Sequence, residues 1–231
     1  SLFTDSLTAL AASPSSNLIF QSASVRKHEA ISEFGSQYSG NISYAIIDGH
    51  SAYCMNHGLK ANTGQEMTSG NTPATSMTEQ QEKLLAYCMY YGFSSTETGG
   101  LSDSQKNEYI ATQATVWIIM EGIFGTEAAD SAASKLCACA PDGDASYRYY
   151  EDLRDNIQLS YYAVRPSFSN KMEYASEVYE LEWNEANQRY EGDFYDYNGV
   201  LENFDFWLDG YQIEKNGNSM TIYTDTKIFK H

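Results

Sequence analysis

Tyr109-Ile110-Ala111-Thr112-Gln113-Ala114-Thr115-Val116-Trp117-Ile118-Ile119-Met120 is the run around which the rest of the chain is organised. At the helical period Tyr109, Gln113, Trp117 and Met120 fall on one face, with Val116 and Ile110 beside it, so a polar amide sits inside an aromatic and aliphatic stripe. Glutamine in such a stripe needs partners, because a buried amide with unmet hydrogen bonds costs on the order of 1–3 kcal/mol. Two readings meet that need. Either a neighbouring backbone or tyrosine group pairs with Gln113, or the carboxamide carbon is itself chemically engaged, which requires a cysteine elsewhere in the chain.

The composition narrows the field. The chain has 231 residues, enough for one large domain or two lobes sharing a core. Fourteen Lys plus Arg against thirty-one Asp plus Glu give a net charge of −17, which repels nucleic acid and anionic lipid. Nineteen tyrosines beside four prolines resemble the make-up of extracellular binding modules, where tyrosine supplies rigid contact area. No apolar run is long enough to span a bilayer, and the first residues lack a basic-then-apolar signal pattern. The expectation is a soluble monomer excised from a longer protein, with no metal and no cofactor. Of the four cysteines, Cys88, Cys137 and Cys139 lie in helical stretches and read as small buried hydrophobes. Cys54 has a different setting.

Outward from the Gln113 helix, the pattern divides the chain into three. Residues 1–74 read as mainly β with loops: strands around Asn17–Ala23 and Asn41–Ile47, a turn at Asp48-Gly49-His50, and a second extended piece from Ser51 that places Cys54 beside Tyr53 near a strand end. Leu59–Pro73 has the composition of a surface loop. Residues 75–165 read as helical. Thr78-Glu79-Gln80-Gln81 and Ser102-Asp103-Ser104-Gln105 are capping boxes that open the first two helices. A third helix spans Thr126–Ala140 and stops at Pro141-Asp142-Gly143, and a fourth runs from Tyr147 to about Tyr162. From 166 to 231 the period changes to two, with strands expected at Tyr174–Trp183, Arg189–Tyr195, Val200–Leu208, Tyr211–Glu214 and Met220–Phe229. The fold class expected is α+β: a helical bundle lobe packed against an antiparallel, sandwich- or barrel-like β lobe built from N- and C-terminal strands, all in a single domain over 1–231.

Three segments taken together, Tyr53-Cys54-Met55-Asn56, Leu84 to Phe93 and Ala111 to Trp117, resemble the thioester domains of Gram-positive surface adhesins. Those domains carry a Tyr-Cys near the end of an early strand, a Tyr-Gly helix end and a Thr-Gln-x-Ala-x-Trp helix. Here the last motif reads Thr112-Gln113-Ala114-Thr115-Val116-Trp117, a Thr-Gln-Ala-x-x-Trp variant. The resemblance covers residues 40 to 125 by motif and the β-rich tail in outline. It implies an internal thioester between Cys54 and Gln113, shielded from water by Tyr53, Tyr109 and Trp117. It further implies one reaction per molecule with an amine, such as a lysine on a host surface or matrix protein. The module would then be a covalent tether and not an enzyme, displayed on a bacterial surface through a cell-wall anchor outside this chain.

Two other classes compete. His57 beside Cys54 raises a Cys-His hydrolase or transferase, but on an extended segment residues three apart point to opposite faces, and this reads His57 as a loop residue. His28, His50 and His231 offer no better partner. A non-covalent tyrosine-rich binding domain requires an ordinary thiol at Cys54 and an intact amide at Gln113.

Overall fold

In the computed structural model, which describes residues 16–58, 64, 66–67, 76–168 and 179–225, the first strand β1 (Ser16–Ser22) pairs antiparallel with β2 (Ser43–Ile47), and β2 with β3 (His50–Ala52). Asp48 and Gly49, at φ 50° and 77°, make the tight turn between β2 and β3, as the Asp-Gly pair requires. A two-residue strand β4 (Glu66–Met67) adds to the free edge of β1, giving the order β3-β2-β1-β4. The sheet is apolar on both faces. Tyr44 and Ile46 join the main core, while Ala45 packs with Leu18 and Ala52 on the other side, the alternation that a period of two dictates.

Four helices follow among the described residues: α1 (Glu79–Tyr91), α2 (Asp103–Met120), α3 (Glu127–Cys137) and α4 (Gly143–Tyr162). Both expected capping boxes form, on Thr78 with Gln81 and on Ser102 with Gln105. Gln81 also donates from Nε2 to the carbonyls of Ile119 and Met120 at 3.2 and 3.0 Å, so the first turn of α1 meets two of the carbonyls that the end of α2 leaves without helical partners. The reading of α2 as one apolar stripe is too narrow. Every residue from Tyr109 to Ile119 is buried, whereas Met120 is half-buried, because α1, α3 and α4 all pack on this helix and Tyr109 meets the sheet. A helix apolar all round belongs at the centre of a core. Helix α4 starts four residues earlier than Tyr147. Asp142 caps it, accepting from the Ala145 N–H at 3.0 Å, while α3 ends at Cys137, three residues short of the expected Ala140, so Pro141-Asp142-Gly143 starts the next helix and does not itself stop the one before.

The chain divides into two compact units, Ser1–Tyr162 and Ala163–His231. In the second, β5 (Glu182–Asn184), β6 (Arg189–Tyr195), β7 (Gln212–Asn216) and β8 (Ser219–Thr224) form a separate antiparallel sheet in the order β5-β6-β8-β7. The α+β class holds. Strands from the two ends form two sheets, one in each unit, and neither closes into a barrel, since local hairpins satisfy the strands of each end with near neighbours. Part of the expected strand Tyr174–Trp183 and the end of Met220–Phe229 lie outside the described residues. The stretch expected as a strand at Val200–Leu208 is instead a 3-10 turn, Leu201–Asn203, followed by irregular chain. The cause is Asp196, whose side chain accepts from the N–H groups of Ser167, Asn198 and Val200 at 2.8, 2.9 and 2.7 Å and bends the segment around itself. Burial pushes this carboxyl up, yet those backbone bonds outweigh it and hold it below the usual carboxylate range.

Gly92 joins α1 to the loop that flanks β3. A Cβ there would stand 2.5 Å from the Cys88 carbonyl oxygen and 2.6 Å from the Thr112 methyl, and the first contact is with backbone that cannot step aside. Gly92→Ala should therefore fold with a loss of about 1–3 kcal/mol, the range of an overpacked core, measured as a lower urea midpoint at unchanged slope.

Candidate functional site

Cys54 lies two residues beyond the end of β3, and Gln113 lies midway along α2. The structure brings them together. The Cys54 N–H donates to Gln113 Oε1 at 2.9 Å, and Gln113 Nε2 donates to the Cys54 carbonyl at 2.8 Å. The carboxamide is thus clasped on both sides by the main chain of one residue 59 positions away. Gln113 is 2 % exposed, and these two bonds supply the partners its burial demands. Cys54 is half-buried, its thiol donating to the Asn56 carbonyl at 3.2 Å. The other three cysteines are buried. Burial drives the Cys88 thiol far above its ordinary value and Cys137 up to about 12, which removes both as nucleophiles near neutral pH.

The flanking aromatics fix this geometry. Tyr109, one turn before Gln113, is fully buried; its hydroxyl accepts from the Ala45 N–H at 3.1 Å and donates to the Ala52 carbonyl at 2.9 Å. One side chain of α2 thereby holds β2 and the end of β3, two residues ahead of Cys54. Tyr53 stacks on Tyr109, centroids 5.0 Å apart and planes 17° apart, and its hydroxyl donates to the Phe93 carbonyl. Thr112 completes the frame from the other side: its Oγ1 accepts from the Phe93 N–H at 3.0 Å and donates to the Glu108 carbonyl at 2.9 Å. The Tyr-Gly-Phe and Thr-Gln motifs are therefore two halves of one joint, with Gly92 cleared for the Thr112 methyl.

Trp117, one turn after Gln113, is buried and packs edge-on against His57, centroids 4.9 Å apart. His57 does lie in a turn, as its reading as a loop residue expects, but the turn is a buried one. The chain turns after Cys54 instead of staying extended, and His57 is carried inward to 6 % exposure. Around it stand His28, Phe34, Tyr38 and Trp117. Both ring nitrogens of His57, Nε2 of His28 and Nε1 of Trp117 are buried without a protein partner among the described residues. Each such group costs on the order of 1–3 kcal/mol. Sequence reasoning missed this cluster, because His28, Phe34 and Tyr38 converge through tertiary packing and share no spacing motif with Cys54.

Residues 51–158 match the family model described as thioester domain. No curated protein and no solved structure gives a match.

Two outcomes follow from this geometry. Tyr109→Phe strands the buried Ala45 N–H in the middle of β2 and the buried Ala52 C=O at the end of β3, and should cost about 1–3 kcal/mol or more, read by thermal unfolding of a protein that still folds. For His57, burial first and the neighbouring His28 second lower the pKa from 6.5 to about 4. The unfolded chain takes up this proton near pH 6.5, and the folded chain only near 4. The contribution is present above pH 6.5 and is lost as the pH falls toward 4. Urea midpoints measured on either side of that window should fall less in His57→Phe than in the parent.

Proposed function

The chain carries a thioester domain of the kind that occurs in surface adhesins, and from that premise we propose that Cys54 and Gln113 form its internal thioester and that the bond is spent once, on an amine of a host protein. The observation that carries this reading is the double hydrogen bond between the Gln113 carboxamide and the Cys54 main chain.

The clasp suits both steps of the chemistry. When the Cys54 thiolate attacks the Gln113 side-chain carbon, negative charge develops on Oε1, where the Cys54 N–H already donates at 2.9 Å. A preorganised donor at that distance stabilises the tetrahedral intermediate without reorganising in the step. The leaving nitrogen, Nε2, is the atom held by the Cys54 carbonyl; it takes up the proton that the thiol gave up and departs as ammonia, and sulfur takes its place on the carbon. In the second step an amine lone pair attacks the same carbon, charge returns to the same oxygen, and the C–S bond breaks. The amine ends as an amide on Gln113 and Cys54 is released as a thiol.

The site is built to delay that second step. Gln113 is buried between Tyr109 and Trp117 on its own helix, and Tyr53 stacks over Tyr109, which restricts water at the carbonyl. An amide is far harder to break than a thioester, so the product stays and the module acts as a covalent tether without turnover. A lysine on a host surface or matrix protein fits as nucleophile, and the charge of −17 favours encounter with basic, lysine-bearing patches. Display on a bacterial surface, anchored through another part of the parent protein, is the setting in which such a tether acts.

Intact and peptide mass spectrometry test the proposal. The isolated protein should weigh less than its sequence by one ammonia, and Cys54→Ala and Gln113→Ala should each restore the sequence mass while Cys88→Ala and Cys137→Ala keep the deficit. Methylamine should add once, on Gln113, with one new thiol on Cys54. The full sequence mass in fresh, undenatured protein, or an adduct on Cys54, defeats the reading.

A further inference from the structure

The nitrogens around His57 exceed what packing requires. A phenylalanine at position 57 would fill the space between Phe34, Tyr38, His28 and Trp117 with no polar atoms to desolvate, yet the chain places an imidazole there with both nitrogens unpartnered among the described residues. The placement relative to Gln113 is specific. Trp117, whose ring meets His57, is one helical turn beyond Gln113, and a helical side chain lies back over the turn that precedes it. The indole against His57 therefore covers the turn that carries the carboxamide. From the other side, His57 is three residues from Cys54, and the Cys54 thiol is turned to the carbonyl of Asn56, the residue next to His57. His57 thus meets the helix of Gln113 through the Trp117 ring and follows Cys54 through the turn at Asn56.

Resting on the thioester reading above, we propose that His57 is the proton-transfer residue of the amine reaction. The amine nitrogen attacks the Gln113 carbonyl carbon, and its surplus proton passes to the unpartnered imidazole nitrogen. The tetrahedral intermediate collapses, the C–S bond breaks with its electron pair going to Cys54 Sγ, and the imidazolium returns the proton to the thiolate. One amine and one thioester give one amide and one thiol, with no proton gained or lost. An amine cannot complete this attack while it keeps its extra proton, and a bare thiolate is a charged product in a half-buried place; one shuttle serves both ends. His28 is oriented for support. Its Nδ1 lies 2.8 Å from the Glu29 carbonyl and so carries the hydrogen, which leaves Nε2 as an acceptor. The titratable groups whose rings pack on His57 are His28 and Tyr38, with uncharged Phe34 and Trp117 completing the wall. Burial keeps His57 in its base form at neutral pH.

The test follows methylamine uptake by intact mass as a function of pH in the parent, His57→Gln and His57→Phe. Both variants should carry the ammonia deficit but take up methylamine about 10²-fold or more slowly, the usual size of a lost acid-base group. Parent and variants alike should follow the free-amine fraction above neutral pH, because His57 is already in its base form there, so the loss should be the same factor at every pH tested. Added imidazole should accelerate the smaller His57→Ala variant and leave the parent unchanged. Uptake by folded His57→Gln within about twofold of the parent overturns the proposal, as does a folded His57→Gln at full sequence mass, since His57 would then act before the step assigned to it. Should His57→Phe fail to fold, His57→Gln decides. Failure of the underlying reading is separate and shows in the parent, as the absence of any ammonia deficit.

Discussion

The exchange of two hydrogen bonds between the Gln113 carboxamide and the Cys54 main chain is the constraint to which the rest of the first unit conforms. A side-chain amide can pair fully in a core only if a donor and an acceptor stand side by side at its tip. A residue just past a strand end offers that pair, because its N–H and C=O are no longer committed to the ladder. Short β3 ends at Ala52, and the Ala52 carbonyl is already met by Tyr109; Cys54, two residues on, has its backbone free for Gln113. The Tyr109 and Gln113 side chains, one helical turn apart, thus meet the chain at two successive points. That arrangement sets how α2 lies against the sheet.

The same constraint explains why the helix is buried on every side. A carboxamide whose partners are a single residue's N–H and C=O keeps them only where water is excluded, and a single apolar stripe would leave neighbouring turns of α2 wet. Helices α1, α3 and α4 enclose it, with Gln81 and Asn107 acting as polar joints. Gln81 meets the last carbonyls of α2, while Asn107 accepts from the Asp142 N–H at 2.9 Å and its carbonyl accepts from Ser146 Oγ at 2.7 Å. Gln81 and Asn107 sit where a helix end or turn needs a partner, and they rigidify the core because both are satisfied, in contrast to the unpartnered nitrogens around His57.

Much of this was legible from local chemistry. Capping boxes at Thr78 and Ser102 act within four residues, so the starts of α1 and α2 follow from sequence, as does the Asp48-Gly49 turn. Elements decided at long range were not legible. Val200–Leu208 alternates like a strand but is bent by a carboxylate at Asp196 that no periodicity reveals. Asp142 serves the helix after it, although Pro141 reads as the end of the helix before. Gln113 was conspicuous because an amide inside an apolar run violates a local rule, and Cys54 because it differs in setting from the three helical cysteines. His57 violated no rule: a histidine in a polar turn is ordinary, and only the convergence of His28, Phe34, Tyr38 and Trp117 makes it unusual.

Exposure is divided unequally between the two halves of the site, and this bears on how a nucleophile arrives. Gln113 is buried and Cys54 half-buried, so the carbonyl carbon is sealed along its helix, and the side open to a reactant is the one where the sulfur lies. A small molecule such as water gains no binding energy at that opening and must rely on chance encounter with a shielded carbon. In the reaction we propose, a lysine borne on a protein surface would be held there by the contacts of its neighbours, which would raise its effective concentration at the carbon far above that of amines in solution. In the proposed reaction, selectivity for a host protein over water therefore comes from positioning at the Cys54 side. On that proposal the thioester needs only to be slow toward unheld nucleophiles, the part we assign to the aromatic enclosure by Tyr53, Tyr109 and Trp117.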